Sequence, residues 1–279
     1  MAKIQSGTGY GRLRLLWHAT HYELRRVSVF RMGFLVREVL SGVIEPLAMI
    51  AVFWALYEGD AQRSLRGWTL HEVIQYLIGV AVFAKLIFHN RVLDVAEQIF
   101  EGYFTKYLVM PFPFTLLPFA RWLQYTLLQL VVVSSMWLMG AWLLPKWWPM
   151  PVGCAAAGEG LVLALLGSLC FFELFLIVNF LAFWLEVVWS LLLMAWFVAS
   201  FLGGRMVPIS QMPELLGRVL EWGFPYWAIA APVERFLGRL DSADSLRGGM
   251  ILIVSLGLLD GLRRFVWARG KARYSGSGM

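Results

Sequence analysis

The sequence is poor in the residues that build disulfide scaffolds, metal sites and charged soluble surfaces. Its 279 residues include two cysteines and four histidines, and only 15% of the residues are charged. Soluble domains carry about 25% charged residues, so this composition argues against an ordinary soluble protein. Cys154 and Cys170 have neither the spacing of a metal site nor that of a redox pair. We therefore expect no metal site.

Short catalytic motifs are missing as well. The sequence has no G-x-S-x-G elbow and no H-E-x-x-H pair, which argues against an intramembrane hydrolase. It also has no G-x-x-x-x-G-K-[ST] phosphate loop, because its Gly270–Lys271 pair is followed by Ala272. We therefore expect no catalytic residue, no bound cofactor and no ATP hydrolysis by this chain.

What the sequence does have is long apolar segments. Hydrophobic residues make up 59% of the chain, and the mean hydropathy is +0.67. Crossing a bilayer takes about 20 apolar residues in a helix, and continuous rather than alternating apolar runs argue against a barrel. We therefore predict an all-α integral membrane protein. Its six transmembrane helices are predicted at residues 39–57, 73–89, 123–143, 160–179, 183–202 and 250–267.

Positive charge is concentrated at the two ends of the sequence. Residues 1–37 contain seven lysines and arginines against one glutamate, and five more basic residues follow Asp260 with no acid among them. Cytoplasmic segments of membrane proteins carry such an excess, so both termini are predicted to be cytoplasmic, which fits an even number of spans. Anionic lipid headgroups explain the basic ends more simply than nucleic acid does.

The positions of the apolar segments and of the basic residues divide the chain into three parts. Residues 1–38 are predicted to form a cytoplasmic N-terminus with an amphipathic helix in the membrane interface, since apolar residues recur there at three- and four-residue steps. Residues 39–267 form the transmembrane domain, and residues 268–279 a basic cytoplasmic tail.

Two connections within the transmembrane domain carry further information. Residues 91–113, on the cytoplasmic side, begin as a short amphipathic helix and stop at Pro111 and Pro113. Residues 203–249, on the outer side, are predicted to contain two short helices, one beginning at Pro213 and one running from Pro232 to a left-handed end at Gly238. We interpret this outer segment as an outer-leaflet lid or a re-entrant element, and the apolar residues 224–231 suit a hydrophobic plug.

At these connections the sequence resembles the permease subunits of type-two ABC exporters, in the six-span branch. After the second span, that branch has a pattern of Ile, Gly, Leu, Asp, Leu and Pro. It matches here at Ile99, Gly102, Phe104 (in the Leu place), Leu108 and Pro111. The proline-bracketed residues 208–214, residues 224–240 and the closing residues 273–278 extend the resemblance over essentially the whole chain.

Three positions depart from the pattern of that branch. Phe100 and Met110 stand where an arginine is usual, and Thr105 stands where an aspartate is usual. Two explanations stay open: the docking helix makes different contacts, or this subunit is the degenerate half of an unequal pair.

The resemblance implies a permease that forms half of a translocation pathway in a bacterial inner membrane. Its partners would be a separate ATPase subunit that binds ATP and Mg, a second copy or a related permease, and membrane lipids. The residues implied in coupling to the ATPase are Asp94, Glu97, Ile99, Phe100, Glu101, Gly102, Phe104, Lys106, Tyr107, Leu108 and Pro111, with Phe100, Phe104 and Tyr107 as aromatic anchors. The implied lid residues are Pro208, Pro213, Pro225, Tyr226, Pro232 and Gly238.

Ionisable residues inside spans are costly and face a partner or a cavity. The candidates for a pathway lining are Glu45, Glu173 and Glu186, together with Trp54 and Trp189. The acids would favour cationic or amphipathic cargo, and the aromatic side chains would favour hydrophobic or amphipathic cargo, either drug-like or lipid-like. The competing interpretation is that the acids form structural pairs between helices.

A second functional class also stays open. An ion or small-metabolite channel, or a secondary transporter, would work without an ATPase. Against it, the sequence contains no recognisable selectivity filter and no inverted repeat of broken spans.

Overall fold

The computed structural model describes residue 44 and residues 46–60, 63–88, 94–105 and 114–274. The predicted interfacial helix of residues 1–38 lies outside the described residues, as do Glu45, Lys106, Tyr107, Leu108 and Pro111.

The described residues are mostly helical, with one short β-hairpin. In chain order the elements are α1 (Pro46–Leu56), β1 (Ser64–Leu65), β2 (Trp68–Thr69), α2 (Leu70–Ile87), α3 (Asp94–Phe100), α4 (Leu116–Leu143), α5 (Cys154–Phe180), α6 (Trp189–Leu202), α7 (Glu214–Leu220), α8 (Phe224–Phe236) and α9 (Ser242–Arg273). Two 3-10 turns, Leu181–Phe183 and Ile209–Gln211, follow α5 and α6.

Four helices are long and apolar enough to cross a bilayer: α2, α4, α5 with the turn that follows it, and α9. The apolar helices α1 and α6 are shorter. The prediction of a helical, multi-pass membrane protein is confirmed at this level, and the count of six spans stays a prediction. Helix α9 also starts eight residues earlier than predicted, because Asp241 and Asp244 form a capping box at its first turn.

The hairpin between α1 and α2 was not predicted. Its strands pair in antiparallel register, with Ser64 opposite Thr69 and Leu65 opposite Trp68. Arg66 and Gly67 both have positive φ (49° and 77°), as a tight two-residue hairpin turn requires. Thr69 then caps α2 in a second capping box, so the hairpin leads directly into that helix.

The core is built around α5, which packs against both α8 and α9. Two glycines of α5 allow a close approach: a Cβ at Gly160 would lie 2.7 Å from the Pro232 carbonyl oxygen, and one at Gly167 would lie 2.6 Å from the Ala228 Cα. Small residues let membrane helices pack backbone to backbone in this way. Helix α8 is accordingly buried from Tyr226 to Glu234.

The prediction of a second short helix beginning at Pro232 is therefore wrong. Pro232 lies inside α8, which runs unbroken from Phe224 to Phe236. A proline removes one amide donor and favours a break, but here packing of the Pro232 backbone against Gly160 holds both halves of the helix in place.

The connections gather at two ends of the helix bundle. At one, which we call the α3 end, α3 meets the last turn of α5, where the Asn179 side chain accepts a hydrogen bond from the Ala96 amide (3.0 Å), and the turn after α3 meets the end of α9. At the other, the hairpin end, the start of α5 meets the end of α8 through an ion pair between Glu159 and Arg235 (2.8 Å). Exposed Cys154 begins α5 at this end, whereas Cys170 is buried within the helix; both are free thiols.

Candidate coupling surface

Helix α3 is fixed to the bundle by its apolar face and by one side chain of α5. Val95 and Ile99 are buried against the core. Asn179 is fully buried, and while its Oδ1 accepts from the Ala96 amide, its Nδ2 donates to the Phe175 carbonyl (2.7 Å). A helix N-terminus has amides without intrahelical partners, and Asn179 supplies a partner for one of them. The start of α3 is therefore tied to the end of α5.

The chain then turns at Gly102, whose φ is +76°. The Phe104 amide donates to the Gln98 carbonyl (2.9 Å), which closes the turn over the end of α3. The Phe104 side chain points into the bundle and is fully buried. Among the described residues, four rings surround it at centroid distances of 4.9–5.7 Å, and we call them the Phe104 socket: Phe114, Phe183, Trp267 and Tyr274.

This burial corrects the expected role of Phe104 as an anchor in a partner. Its ring is enclosed by this chain, in edge-to-face contacts that stabilise aromatic pairs. Ile99, another residue of the predicted coupling set, is likewise turned inward with 3% of its surface exposed. The two residues hold the segment in place, and their side chains are not exposed for contact with a partner.

Tyr274, which follows α9, closes the socket from the other side. Its hydroxyl donates to the Gly102 carbonyl (3.0 Å) and lies 3.0 Å from the Thr105 hydroxyl. Both Tyr274 and Asn179 escaped the sequence analysis. The signals were present: Tyr274 belongs to the closing segment that resembles the family, and Asn179 is a polar residue at the end of an apolar run.

The outer face of the segment is exposed and mixed in character. It consists of Glu97, Phe100, Glu101 and Tyr103, with 39% of the Phe100 surface and 60% of the Tyr103 surface accessible. Exposed aromatic side chains suit a protein partner. Asp94 begins α3, although its side chain lies outside the described part of the chain.

A groove of about 320 Å³ runs between α3 and the start of α6. Glu97 and Phe100 line it from one side, and Glu186 and Trp189 from the other. The latter two were expected within a span, but α6 begins only at Trp189, so both lie exposed at the α3 end.

The predicted lid residues lie at the hairpin end. Gly238 has φ +75° and the Arg239 amide donates to the Glu234 carbonyl (2.8 Å), which confirms the left-handed end of the helix. Pro208 is buried, Pro213 precedes α7, and Pro225 lies in the first turn of α8. The plug of residues 224–231 is not a surface element, because α8 is part of the core and Ala228 is fully buried.

A family profile described as ABC-2 family transporter protein matches residues 43–278. The match covers far more than half of the chain. The chain belongs to the ABC-2 transporter family. No curated protein matches it. As an ABC-2 permease it is a membrane component of a transporter rather than the ATPase.

The ABC-2 permease pairs four charged side chains of its helices α5 and α9 with one another. Arg263 of α9 donates to the Glu173 carboxylate of α5 (2.6 Å), and Asp260 also accepts from Arg263. Arg264 adds a second cation on Asp260 at 2.7 Å. For Glu173 this geometry favours the structural-pair interpretation over a pathway lining. Trp54 lies on the exposed side of α1 with 47% of its surface accessible.

Proposed function

We propose that this ABC-2 permease is the membrane half of an ATP-driven exporter for a hydrophobic or amphipathic substrate. A separate ATPase subunit docks on the exposed face of α3, and a second copy or a related permease completes the pathway. The observation that carries the proposal is the mounting of α3, which is tied to both α5 and α9 while Glu97, Phe100, Glu101 and Tyr103 face outward.

The mounting explains how ATP hydrolysis elsewhere would move this chain. A force on α3 passes to the end of α5 through Asn179 and to the end of α9 through the Phe104 socket. Closely packed side chains transmit displacement because the interior is dense. Rigid-body rocking of helices around a central site is the usual route to alternating access. Helix α3 would transmit the movement of the ATPase to the helices that rock.

The distribution of charge supports a cytoplasmic location for the α3 end. The basic residues after Asp260 all belong to the last turns of α9, beside α3. With the positive-inside bias, this end faces the cytoplasm and the hairpin end faces outward, in a bacterial inner membrane.

The test uses the tagged permease purified from its native membranes in mild detergent. We expect a stoichiometric second polypeptide that carries the G-x-x-x-x-G-K-[ST] loop and hydrolyses Mg-ATP. The double change Glu97→Lys with Glu101→Lys should reduce its recovery severely, because both charges on the exposed face are reversed.

The matched control is Leu215→Ser on α7, an equally exposed change at the opposite end, which should leave recovery intact. Full recovery of the ATPase with the double lysine variant would mean that the ATPase docks elsewhere. A permease that transports without any ATPase would favour the channel or secondary-transporter class.

A further inference from the structure

A second cavity, of about 700 Å³, lies at the hairpin end. Its walls come from the hairpin turn, the Ile209–Gln211 turn, α7 and α8. This volume is in the range of pockets that hold small organic molecules. We call it the hairpin-end cavity.

The charges around this cavity do not balance. Three glutamates line it (Glu214, Glu221 and Glu234) against two arginines (Arg66 and Arg218). Arg218 is already paired with Glu214, one turn away on α7. The Arg66 guanidinium donates to two backbone carbonyls, those of Gln211 (2.6 Å) and Met212 (2.5 Å). Neither arginine is therefore engaged with the remaining carboxyl groups.

Glu234 is the buried one of the two cavity glutamates that are not paired with an arginine of the cavity. It is 7% exposed, and its Oε2 accepts a hydrogen bond from the Tyr226 hydroxyl (2.7 Å). Among the described residues it has no ion-pair partner; the nearby Arg239 pairs with Glu72 (2.5 Å) and stacks on Trp68 (3.8 Å) instead. Both Tyr226 and Glu234 project from α8, which Gly160 and Gly167 fix against α5.

A buried carboxylate without a counter-charge is expensive, and either a proton or a cationic ligand relieves the cost. The described residues contain no cluster of three or more His, Cys, Asp or Glu side chains able to hold a metal ion. A protonated amine can supply the positive charge and donate hydrogen bonds to the carboxylate. Ile209 and Met212 on the same walls offer apolar contact for the rest of such a molecule.

We propose that the hairpin-end cavity binds the protonated amine of an amphipathic molecule. Glu234 accepts hydrogen bonds from the ammonium group, and Tyr226 is a positioning residue that orients the carboxylate. The apolar part of the ligand lies against Ile209 and Met212. As a statement about cargo this inference rests on the exporter function proposed above, for which it names the substrate class: hydrophobic amines.

The site has a built-in pH dependence. Burial raises the pKa of Glu234 to about 7, while the Tyr226 hydrogen bond and Arg239 oppose the rise and Glu221 adds to it. The other charged groups on the cavity walls are Arg66, Arg218 and Glu214, and the Tyr76 hydroxyl of α2 lies on a neighbouring element, where it donates to the Gly204 carbonyl (2.8 Å). Because an ammonium ligand prefers the ionised carboxylate, its binding should be tighter at pH 8 than at pH 6.

The experiment measures binding of monodansylcadaverine, a fluorescent primary amine, to the purified permease in lipid nanodiscs. Its N-acetylated form is the uncharged control. We expect Glu234→Gln to weaken amine binding roughly 10-fold or more at pH 8, since the ammonium group then meets a neutral amide oxygen in place of a carboxylate. The acetylated probe should bind the wild-type protein and the variant equally. Tyr226→Phe should weaken amine binding by a smaller factor and move its pH dependence to higher pH, because the Tyr226 hydrogen bond lowers the pKa of Glu234.

Glu58→Gln is the matched control, because it removes an exposed carboxylate that does not line the cavity; it should change amine affinity by no more than about 2-fold. Thermal unfolding of each variant confirms that it is folded. The inference is overturned if folded Glu234→Gln binds the amine with the same affinity as the wild type. It is also overturned if the wild type binds the acetylated probe as tightly as it binds the amine. ATPase co-purification is scored separately, so its absence counts against the exporter function while Glu234-dependent binding still establishes the site.

Discussion

At the residue scale, the inward-facing Phe104 side chain holds the turn after α3 against the bundle. Replacing it with alanine removes a ring that touches all four members of the Phe104 socket. Phe104→Ala should lower the free energy of unfolding by about 3 kcal/mol or more, the usual cost of such a cavity. It should also uncouple ATP hydrolysis from transport, because α3 loses its connection to α9. Thermal unfolding and transport per ATP hydrolysed are the measurements.

Phe100→Ala is the comparison for that change, since it shortens an exposed ring on the same segment. It should alter stability by less than about 0.5 kcal/mol but weaken recovery of the ATPase. If Phe104→Ala leaves both stability and coupling unchanged, the socket has no mechanical role.

Tyr274 gives a finer test of the same connection. Tyr274→Phe keeps the ring in the socket and removes the hydrogen bonds to Gly102 and Thr105. We expect a loss of about 1 kcal/mol in stability and faster hydrogen exchange in residues 101–105. Exchange in α7, at the opposite end, should not change; a uniform acceleration everywhere would mean global destabilisation instead.

Local sequence signals predicted some of these residues and missed others for physical reasons. Gly238 was predicted correctly because a left-handed helix end depends on a few neighbouring residues. The burial of Phe104 was not, because an amphipathic pattern identifies an apolar face without telling whether the chain itself or a partner covers it. The prediction of a helix beginning at Pro232 was wrong for a similar reason. The Pro232 backbone is held by Gly160, more than seventy residues away in sequence.

At the scale of elements, the close contact between α5 and α8 depends on two glycines of α5, Gly160 and Gly167. A methyl group at position 167 would lie 2.5 Å from the Ala228 Cβ and 2.6 Å from its Cα. Gly167→Ala should therefore push the helices apart and cost about 1–3 kcal/mol of stability, as measured by thermal unfolding. Because α8 carries Glu234, amine binding at the hairpin-end cavity should weaken as well.

Gly158 provides the control on the same helix. It is exposed, and a methyl group there would meet nothing within 4 Å. Gly158→Ala should leave packing unchanged and stabilise α5 by up to about 1 kcal/mol through helix propensity. Equal destabilisation by both substitutions would contradict the close-approach argument.

The hairpin between α1 and α2 is an element that the local sequence could not predict. Its turn has an arginine at positive φ before the glycine, so the Asn-Gly or Asp-Gly signal of such turns is missing. Tertiary contacts hold it instead: the Tyr57 hydroxyl donates to the Trp68 carbonyl (3.0 Å), and Arg66 reaches the Ile209–Gln211 turn. Those contacts join residues that no local pattern relates.

At the scale of the whole molecule, two spanning helices leave most of their apolar surface uncovered. Only 28% of the apolar window of α4 and 17% of that of α9 are buried within the chain. Lipid covers part of this surface, and we expect a second permease to cover the rest. Native mass measurement of the detergent-solubilised complex should give two permease copies with two ATPase subunits; a monomer that remains fully active would contradict this.

The unequal exposure of the two cysteines provides a natural reporter of orientation. Cys154 is open to solvent at the hairpin end, whereas the Cys170 thiol is buried and donates to the Leu252 carbonyl (3.4 Å). An impermeant maleimide applied to intact cells should modify the unaltered protein once, at Cys154, if the hairpin end faces outward. Modification only after the cells are opened would reverse the assignment of the two ends. The orientation of this permease can thus be read by mass spectrometry from its native thiols.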